Sequence, residues 1–396
     1  MHRVSSAQLT LIASLASFGC QGARPPASST AAPPCGAAQA EDGFREIRAS
    51  DPAIRYVGRL DFSSPHAPRM AFPAVSIETQ FEGDAIDLIL DESAPGGADG
   101  TAYYDVSIDG LAPTKVMTCK EQRVYPLARE LSGGFHTVRI AKRTEAQVGS
   151  SSFLGFRVRP GTSLRRPVAP PRLLEFVGDS ITCGYGNEVS TASPDEYPFS
   201  SRNENALLAF GAITARALGA DYVAVAASGR GLVRNYDGHA ALEVPAFYDL
   251  TAPDSSGAAW DHRRHSPDVI VVNLGTNDFS IGLDPRGLSA MRAEFRRAYE
   301  AFLERLRATH PRATLIAAVG PMINDAHPPG YKAWTSIRAD VQGVVAARAS
   351  AGDTDLLYFE FEPQSAPYGE DWHPTVATHR AMAERLSAFI QQKMGW

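Results

Sequence analysis

Two short segments of this chain carry the side chains that ester hydrolysis requires. Ser180 lies in the run GDSIT at 178–182, and His373 lies in DWHP at 371–374. A serine hydroxyl becomes an effective nucleophile only when a neighbouring base takes its proton, and imidazole has a pKa suited to that task near neutrality. We therefore predict that Ser180 is a nucleophile and that His373 is its general base.

Acyl transfer also needs hydrogen-bond donors directed at the negative charge that develops on the attacked carbonyl oxygen. The backbone N–H groups of Ser180 and Gly229 and the carboxamide of Asn277 are candidates for this oxyanion hole. Taken singly, Ser180 could cap a helix, and Gly229 and Asn277 could form turns. Their combination favours the catalytic interpretation.

The elements that must position these residues form an α/β pattern between 171 and 396. Continuous apolar runs, typical of buried parallel strands, alternate with amphipathic stretches long enough to form helices. The runs are 173–177, 222–226, 269–274, 314–319 and 356–359, and the helical stretches are 205–218, 288–309, 332–351 and 376–393. Ligands bind beyond the carboxyl ends of such strands, and the candidate residues follow the runs. We predict a three-layer α/β/α domain with about five parallel strands.

A different pattern precedes this domain between 43 and 165. Apolar and polar residues alternate in short runs, for example at 74–79 and 104–110, and glycine-containing turns separate them. This period of two is typical of half-buried antiparallel strands. We predict an all-β, jelly-roll-like sandwich of about eight strands, joined to the α/β domain by a basic, proline-rich segment.

The amino-terminal residues have the composition of a targeting segment and a tether. An apolar run at 9–18 follows Arg3 and is too short to span a bilayer, so residues 1–20 are predicted to be an export signal. The run SFGC at 17–20 is similar to a bacterial lipoprotein cleavage box, which makes Cys20 a candidate for lipidation. Alternatively, a secretory signal is cut elsewhere. Residues 21–42 are rich in Ala, Pro, Ser and Thr and are predicted to be a disordered linker. The protein is thus expected to be secreted, or anchored as a lipoprotein at the bacterial cell surface or in the periplasm.

Charge and cysteine content exclude several kinds of partner. The net charge is −6, and no Lys/Arg cluster is present that could neutralise a run of phosphates, which argues against nucleic acid. Membrane contact is expected only through a lipid on Cys20. The 4 cysteines form no CxxC pair and indicate no metal site.

The blocks at 178–180, 229, 275–278 and 371–373 resemble, in order and placement, those of the SGNH (GDSL-like) hydrolases. The longer run at 178–187, together with RYVGR at 55–59 and KRTEA at 142–146, resembles carbohydrate esterase family two. That resemblance implies a serine esterase that removes acetyl groups from plant-wall polysaccharides such as xylan and glucomannan. It implies an acetylated polysaccharide or oligosaccharide as substrate, and neither cofactor nor metal.

The chain departs from the superfamily pattern beside the histidine. The resembled hydrolases place an orienting Asp three residues before it, where this chain has Glu370, and Asp371 stands two residues before it. Either carboxylate or a backbone carbonyl could hold the imidazole, and we favour Asp371. Trp260 and Trp372 are candidates for stacking on sugar rings, although Trp260 could equally pack in the core.

Two other functions remain compatible with this scaffold. A lipid esterase or thioesterase would use the same nucleophile and would need an apolar trough for an acyl chain. A catalytically inactive carbohydrate-binding surface protein is the third hypothesis, and the presence of Ser180, Asn277 and His373 argues against it.

Overall fold

The computed structural model describes residues 43–280 and 286–396. Its strands are β1 Arg45–Arg48, β2 Arg55–Val57, β3 Leu60–Asp61, β4 Arg69–Met70, β5 Ser76–Glu82, β6 Ile86–Glu92, β7 Tyr103–Ile108, β8 Thr114–Met117, β9 Val124–Ala128, β10 Phe135–Lys142, β11 Ser151–Val158, β12 Leu164–Arg165, β13 Leu173–Gly178, β14 Asp221–Ala226, β15 Val269–Asn273, β16 Thr314–Val319 and β17 Leu356–Glu360. Its α-helices are α1 Ser180–Cys183, α2 Phe210–Ala217, α3 Val244–Phe247, α4 Leu288–Thr309, α5 Ala333–Ser350 and α6 Val376–Met394.

Strands β1 to β12 form two antiparallel sheets. One sheet has the order β3-β4-β11-β6-β9 with β1 beside β11, and the other has the order β12-β5-β10-β7-β8 with β2 beside β5. The alternation of the sequence survives in the structure, since Ile77, Thr79 and Phe81 of β5 are buried while Glu78 and Gln80 between them are partly exposed. The predicted antiparallel β fold is confirmed. The additional strands β1 to β4 and β12 span only two to four residues, too few to show a period.

Strands β13 to β17 form a parallel sheet of five strands in the order β14-β13-β15-β16-β17. Helices α2 and α6 pack together on one face of it, where Leu174 and Phe176 point, and α4 and α5 cover the face that carries Val177. The predicted three-layer α/β/α arrangement is therefore confirmed. The helix expected at 205–218 differs in detail, because Ala209 has an extended backbone (φ −74°, ψ 157°) and α2 begins only after it.

The antiparallel and parallel sheets belong to one compact unit and share a continuous hydrophobic core. At their junction, Arg59 lies wholly buried, with Nη2 3.2 Å from an oxygen of Glu175 on β13 and Nη1 bonded to the Tyr248 carbonyl. Burial by itself would raise the pKa of Glu175, but Arg59 attracts its charge and the net effect is a lowered pKa. The junction is thus held by a buried ion pair.

Both β-domain segments that resemble family two lie at this junction. Arg55 forms an ion pair with Asp221 on β14, and Arg143 bonds Asp105 at 2.8 Å and also pairs with Glu188. The resemblance in these segments therefore marks contacts that join the two sheet systems.

The export signal, the linker and the candidate lipidation residue Cys20 lie outside the described residues. Of the cysteines within them, Cys119 is disulfide-bonded and Cys183 is a buried free thiol. Over residues 43–280 and 286–396, none of the helices combines the length and apolar character needed to cross a bilayer.

Candidate active site

Ser180 stands at the carboxyl edge of the parallel sheet, at the first residue of α1. Asp179 caps this helix by accepting the Ile181 N–H at 3.0 Å. The turn requires glycine at 178, because a Cβ there would lie 2.1 Å from Thr182 Oγ1. A short strand-to-helix turn thus presents the Ser180 hydroxyl at the sheet edge.

His373 reaches Ser180 from a loop that follows β17. Its Nε2 lies 2.8 Å from Ser180 Oγ, and its Nδ1 lies 3.0 Å from the carbonyl oxygen of Glu370. A carbonyl only accepts, so Nδ1 carries the proton and the Nε2 lone pair faces the serine hydroxyl. The Tyr185 ring stacks on the imidazole with centroids 4.2 Å apart, which fixes its plane. The predicted nucleophile and base are therefore in hydrogen-bond contact.

The expectation that Asp371 orients the imidazole is corrected by this geometry. The Asp371 carboxylate accepts the Tyr185 hydroxyl at 2.6 Å and makes no hydrogen bond to the His373 ring. The side chain of Glu370 points elsewhere, accepting the Ser200 N–H at 2.9 Å and Asn203 Nδ2 at 2.5 Å. The arrangement is a Ser–His dyad whose ring is oriented by a backbone carbonyl.

The backbone before His373 adopts conformations that side-chain-bearing residues rarely take. Asp371 and Trp372 have φ values of 46° and 66°. The loop is held in place by bonds from Glu370 N–H to the Gly186 carbonyl and from Gly369 N–H to the His373 carbonyl. Such strain persists only where surrounding contacts over-determine it, and here it turns the Glu370 carbonyl toward the ring.

Burial sets the protonation state of the base. It lowers the pKa of His373 to about 4, while the Glu370 carbonyl and the Asp371 charge act weakly in the other direction. The imidazole is consequently neutral at neutral pH, which is the state a general base needs.

The three oxyanion-hole candidates lie around Ser180 because of the strand order. β13, which leads to Ser180, lies between β14, which leads to Gly229, and β15, which leads to Asn277. Within the described residues, no acceptor engages the N–H of Ser180 or of Gly229. Asn277 Nδ2 donates to the Arg230 carbonyl at 2.9 Å and lies 3.4 Å from Asp179 Oδ2, so its second hydrogen is weakly held. The three candidate donors thus follow neighbouring strands and line the same cavity.

The backbone conformation and close packing at position 229 favour a glycine. Its φ is 73°, in the left-handed region, and a Cβ would lie 2.6 Å from the ring of Tyr236. The loop that follows is fixed by Asp278, whose buried carboxylate accepts the N–H groups of residues 232–234. Asp179 is buried as well, and burial raises its pKa to about 7. Its carboxylate caps α1 and lies beside Asn277.

A cavity of about 700 Å³ opens over the dyad. Both sheet systems contribute to its wall, since Asp99 and Gln147 come from the antiparallel part. The lining residues are Asp99, Gln147, Ser180, Tyr185, Phe199, Ser228, Gly229, Tyr236, Thr276, Asn277, Ser280, Met322, Asp371 and His373. Asp99 and Gln147 were not predicted from the sequence, because contacts between segments far apart in the chain produce no local pattern.

The two tryptophans have different positions. Trp260 is 7% exposed, packs against His265 and Arg59, and lines a separate cavity without Ser180, so its predicted role in substrate contact is corrected to core packing. Trp372 is 47% exposed beside the base, and its Nε1 donates to Asp195 at 2.9 Å. Its ring also packs against Tyr368, with centroids 4.9 Å apart, and it does not line the cavity that contains Ser180 and His373.

Comparison with known proteins gives a consistent result. Residues 56–168 match the model "Carbohydrate esterase 2 N-terminal", and residues 176–381 match the "GDSL-like Lipase/Acylhydrolase family". The chain is 37% identical to the cellulase/esterase CelE of Acetivibrio thermocellus over 87% of its own length, but it spans only 40% of that protein. It is 30% identical to an acetylxylan esterase/glucomannan deacetylase of Cellvibrio japonicus, covering 88% of this chain and 91% of the relative.

Solved structures are similar over most of the chain. A family two carbohydrate esterase from Clostridium thermocellum, in complex with cellohexaose, has a TM-score of 0.77 at 36% identity, covering 87% of this chain and 99% of that one. A family two carbohydrate esterase from Cellvibrio japonicus has a TM-score of 0.78 at 28% identity, covering 89% and 98%.

Proposed function

This chain belongs to carbohydrate esterase family two and is a carboxylic ester hydrolase, and on that premise we propose that it removes O-acetyl groups from plant-wall polysaccharide such as xylan and glucomannan. The observation that carries the proposal is the 2.8 Å contact between His373 Nε2 and Ser180 Oγ at the floor of an open cavity. Relatives named for this activity support the choice of substrate.

The residues present support a two-step mechanism. His373 Nε2 takes the hydroxyl proton while Ser180 Oγ attacks the acetyl carbonyl carbon. The negative oxygen accepts the N–H groups of Ser180 and Gly229 and the Asn277 hydrogen that Asp179 holds only weakly, at 3.4 Å. The protonated His373 then gives its proton to the leaving sugar oxygen. Water, deprotonated by the same ring, releases acetate and regenerates Ser180.

Acetate release from a panel of acetylated polysaccharides tests this proposal. Acetylated xylan, acetylated glucomannan and p-nitrophenyl esters of increasing chain length are compared, with Ser180→Ala as the matched control. We expect acetate from a polysaccharide and a steep decline with acyl length. Faster cleavage of long-chain esters would instead favour a lipid esterase or thioesterase, and sugar binding without acetate release would favour an inactive binding protein.

We also propose that the protein is exported and carries a lipid on Cys20. The support is the apolar run at 9–18 and the SFGC sequence at 17–20 that ends in that cysteine. We expect labelled palmitate to be incorporated into the wild type but not into Cys20→Ser. Both proteins should be found in the envelope or the medium. Equal labelling of both, or retention in the cytoplasm, would contradict it.

A further inference from the structure

A carboxylate from the antiparallel part of the fold lies directly beneath the oxyanion loop. Glu145 follows β10, and its Oε2 accepts the Ser228 N–H at 2.7 Å while its Oε1 accepts the Ser228 hydroxyl. Gln147 Nε2 also donates to Oε1, at 3.0 Å. Ser228 immediately precedes Gly229. The Glu145 carboxylate therefore accepts hydrogen bonds from both the N–H and the hydroxyl of Ser228, the residue before the oxyanion-hole candidate Gly229.

This carboxylate belongs to a buried cluster. Glu145, Glu204 and Cys183 offer atoms that all lie within 4.8 Å of one another, and none of the three residues is more than 1% exposed. Cys183 ends α1, the helix that begins with Ser180. The cluster consequently touches both the nucleophile's helix and the oxyanion loop.

Two carboxylates this close and this deeply buried cannot both keep a charge. Glu145 accepts hydrogen bonds from Ser228 and Gln147, whereas in the described part of the chain the only hydrogen-bond partner of the Glu204 carboxyl is Glu145 itself. Burial raises the pKa of both carboxyls, but the hydrogen bonds from Ser228 limit the rise for Glu145, whereas repulsion by Glu145 adds to it and takes the pKa of Glu204 well above its usual range. The single proton therefore resides on Glu204, and Glu145 remains an acceptor.

A proton suits this cluster better than a metal cation. The Lys142 ammonium is buried near both carboxylates; burial lowers its pKa, and the neighbouring carboxylates counteract that effect and favour its positive charge. It is fixed by the Thr144 carbonyl at 2.7 Å and the Glu145 carbonyl at 3.1 Å. The oxygens of Glu145 also already accept hydrogen bonds from Ser228 and Gln147.

We propose that Glu145 is a positioning residue of the oxyanion hole: its carboxylate fixes Ser228 and so aims the Gly229 N–H at the developing oxyanion. The antiparallel domain thus contributes a positioning residue to the catalytic site of the α/β domain, in addition to the residues with which it lines the cavity. This inference rests on the acyl-transfer chemistry of the proposed function. It assigns Glu145 no contact with substrate.

Glu145→Gln is the central test. A carboxamide keeps one acceptor oxygen for the Ser228 N–H, but its NH₂ group then faces the Ser228 hydroxyl and the Gln147 amide, so both lose the acceptor that fixed them. We expect kcat on p-nitrophenyl acetate, normalised to titrated active sites, to fall about tenfold or more, because even one lost oxyanion donor costs roughly 10²–10³-fold. KM should change less than about threefold, since the oxyanion contact exists only in the transition state.

Two glutamine variants separate positioning from folding. Glu92→Gln is a matched control, because Glu92 is also a buried acceptor in the antiparallel part, bonded to Ala94 N–H, Thr118 and Ser151, and lies outside the cavity wall. It should lower Tm without lowering kcat per active site. Glu204→Gln keeps a donor toward Glu145 and should lower kcat by less than about threefold.

Ser228→Ala provides the second route should Glu145→Gln not fold. It deletes only a hydroxyl, and we expect kcat to fall about threefold to tenfold with little change in KM. Normal kcat in Glu145→Gln or, if that variant does not fold, in Ser228→Ala would overturn the inference, as would equal kcat losses in Glu92→Gln and Glu145→Gln. Absence of esterase activity in the wild type would instead refute the proposed function itself.

Discussion

Replacing Asp371 by alanine removes the carboxylate that a Ser–His–Asp triad would need, and in this chain it should cost little. The side chain is exposed, and its hydrogen bond goes to the Tyr185 hydroxyl rather than to the His373 ring. The proton on Nδ1 is held by the Glu370 carbonyl, which the substitution leaves in place.

The expected loss follows from two small contributions. An exposed charge acting on the transient imidazolium through water contributes about 1 kcal/mol at 4 Å, or roughly fivefold in rate. Loss of the Tyr185 hydrogen bond loosens the ring that stacks on the imidazole, but the ring also stacks on Phe199, with centroids 4.4 Å apart. We therefore expect kcat/KM to fall about threefold to tenfold, whereas disabling the Asp of a true triad costs about 10⁴-fold in kcat.

The assay is the initial rate with p-nitrophenyl acetate, with Tyr185→Phe as the matched control that breaks the same hydrogen bond from the other side. Glu370→Ala provides the contrast. It frees Ser200 N–H and Asn203 from a buried carboxylate, so it should loosen the orienting carbonyl and lower both Tm and kcat more than Asp371→Ala. A loss of about 10³-fold or more in a folded Asp371→Ala enzyme would refute the dyad.

Three other predictions follow from the same geometry. Because His373 is neutral down to a pKa of about 4, kcat/KM should be level across neutral pH and fall with acid around that value, and a midpoint near the ordinary histidine pKa of about 6.5 would contradict it. Asn277→Ala should lower kcat on p-nitrophenyl acetate roughly 10²–10³-fold at nearly constant KM, and a change confined to KM would show that it only binds substrate. Arg59→Met should lower the free energy of unfolding in urea by about 3–5 kcal/mol, because it leaves the buried Glu175 charge without a partner. The double variant Arg59→Met/Glu175→Gln should be less destabilised. Equal stability of the wild type and Arg59→Met would show that the ion pair does not stabilise the junction.

Much of the α/β domain could be predicted because its period is local. The run at 269–274 is buried throughout β15, and α4 has the predicted bounds of 288 and 309. The dyad partners could be predicted from their place after strands, since parallel strands bring their carboxyl ends to one edge. Residue types with specific chemistry thus marked the site before any contact was known.

The group that orients His373 could not be read from the sequence. It is a main-chain carbonyl, which every residue possesses, and its direction depends on positive φ values at Asp371 and Trp372. The proximity of two carboxylates in the sequence favoured a side-chain partner that the backbone conformation does not use. Burial of Trp260 was similarly hidden, because Arg59, which packs against it, lies far away along the chain.

The role inferred for Glu145 illustrates the same limit. The sequence marks 142–146 as part of a resemblance, but only the folded chain shows that its carboxylate crosses from one sheet system to Ser228 of the other. Long-range pairing of charged residues leaves no periodic signal. Contacts of this kind can be identified only in the folded structure.

The most direct test of the central claim is mass spectrometry of the acid-quenched enzyme during turnover of acetylated xylan or glucomannan. The account predicts one added acetyl group per chain, located on Ser180 by peptide mapping, and none in Ser180→Ala, which should also release no acetate. Acetate release by Ser180→Ala at the wild-type rate, or an acetyl group on another residue, would contradict it.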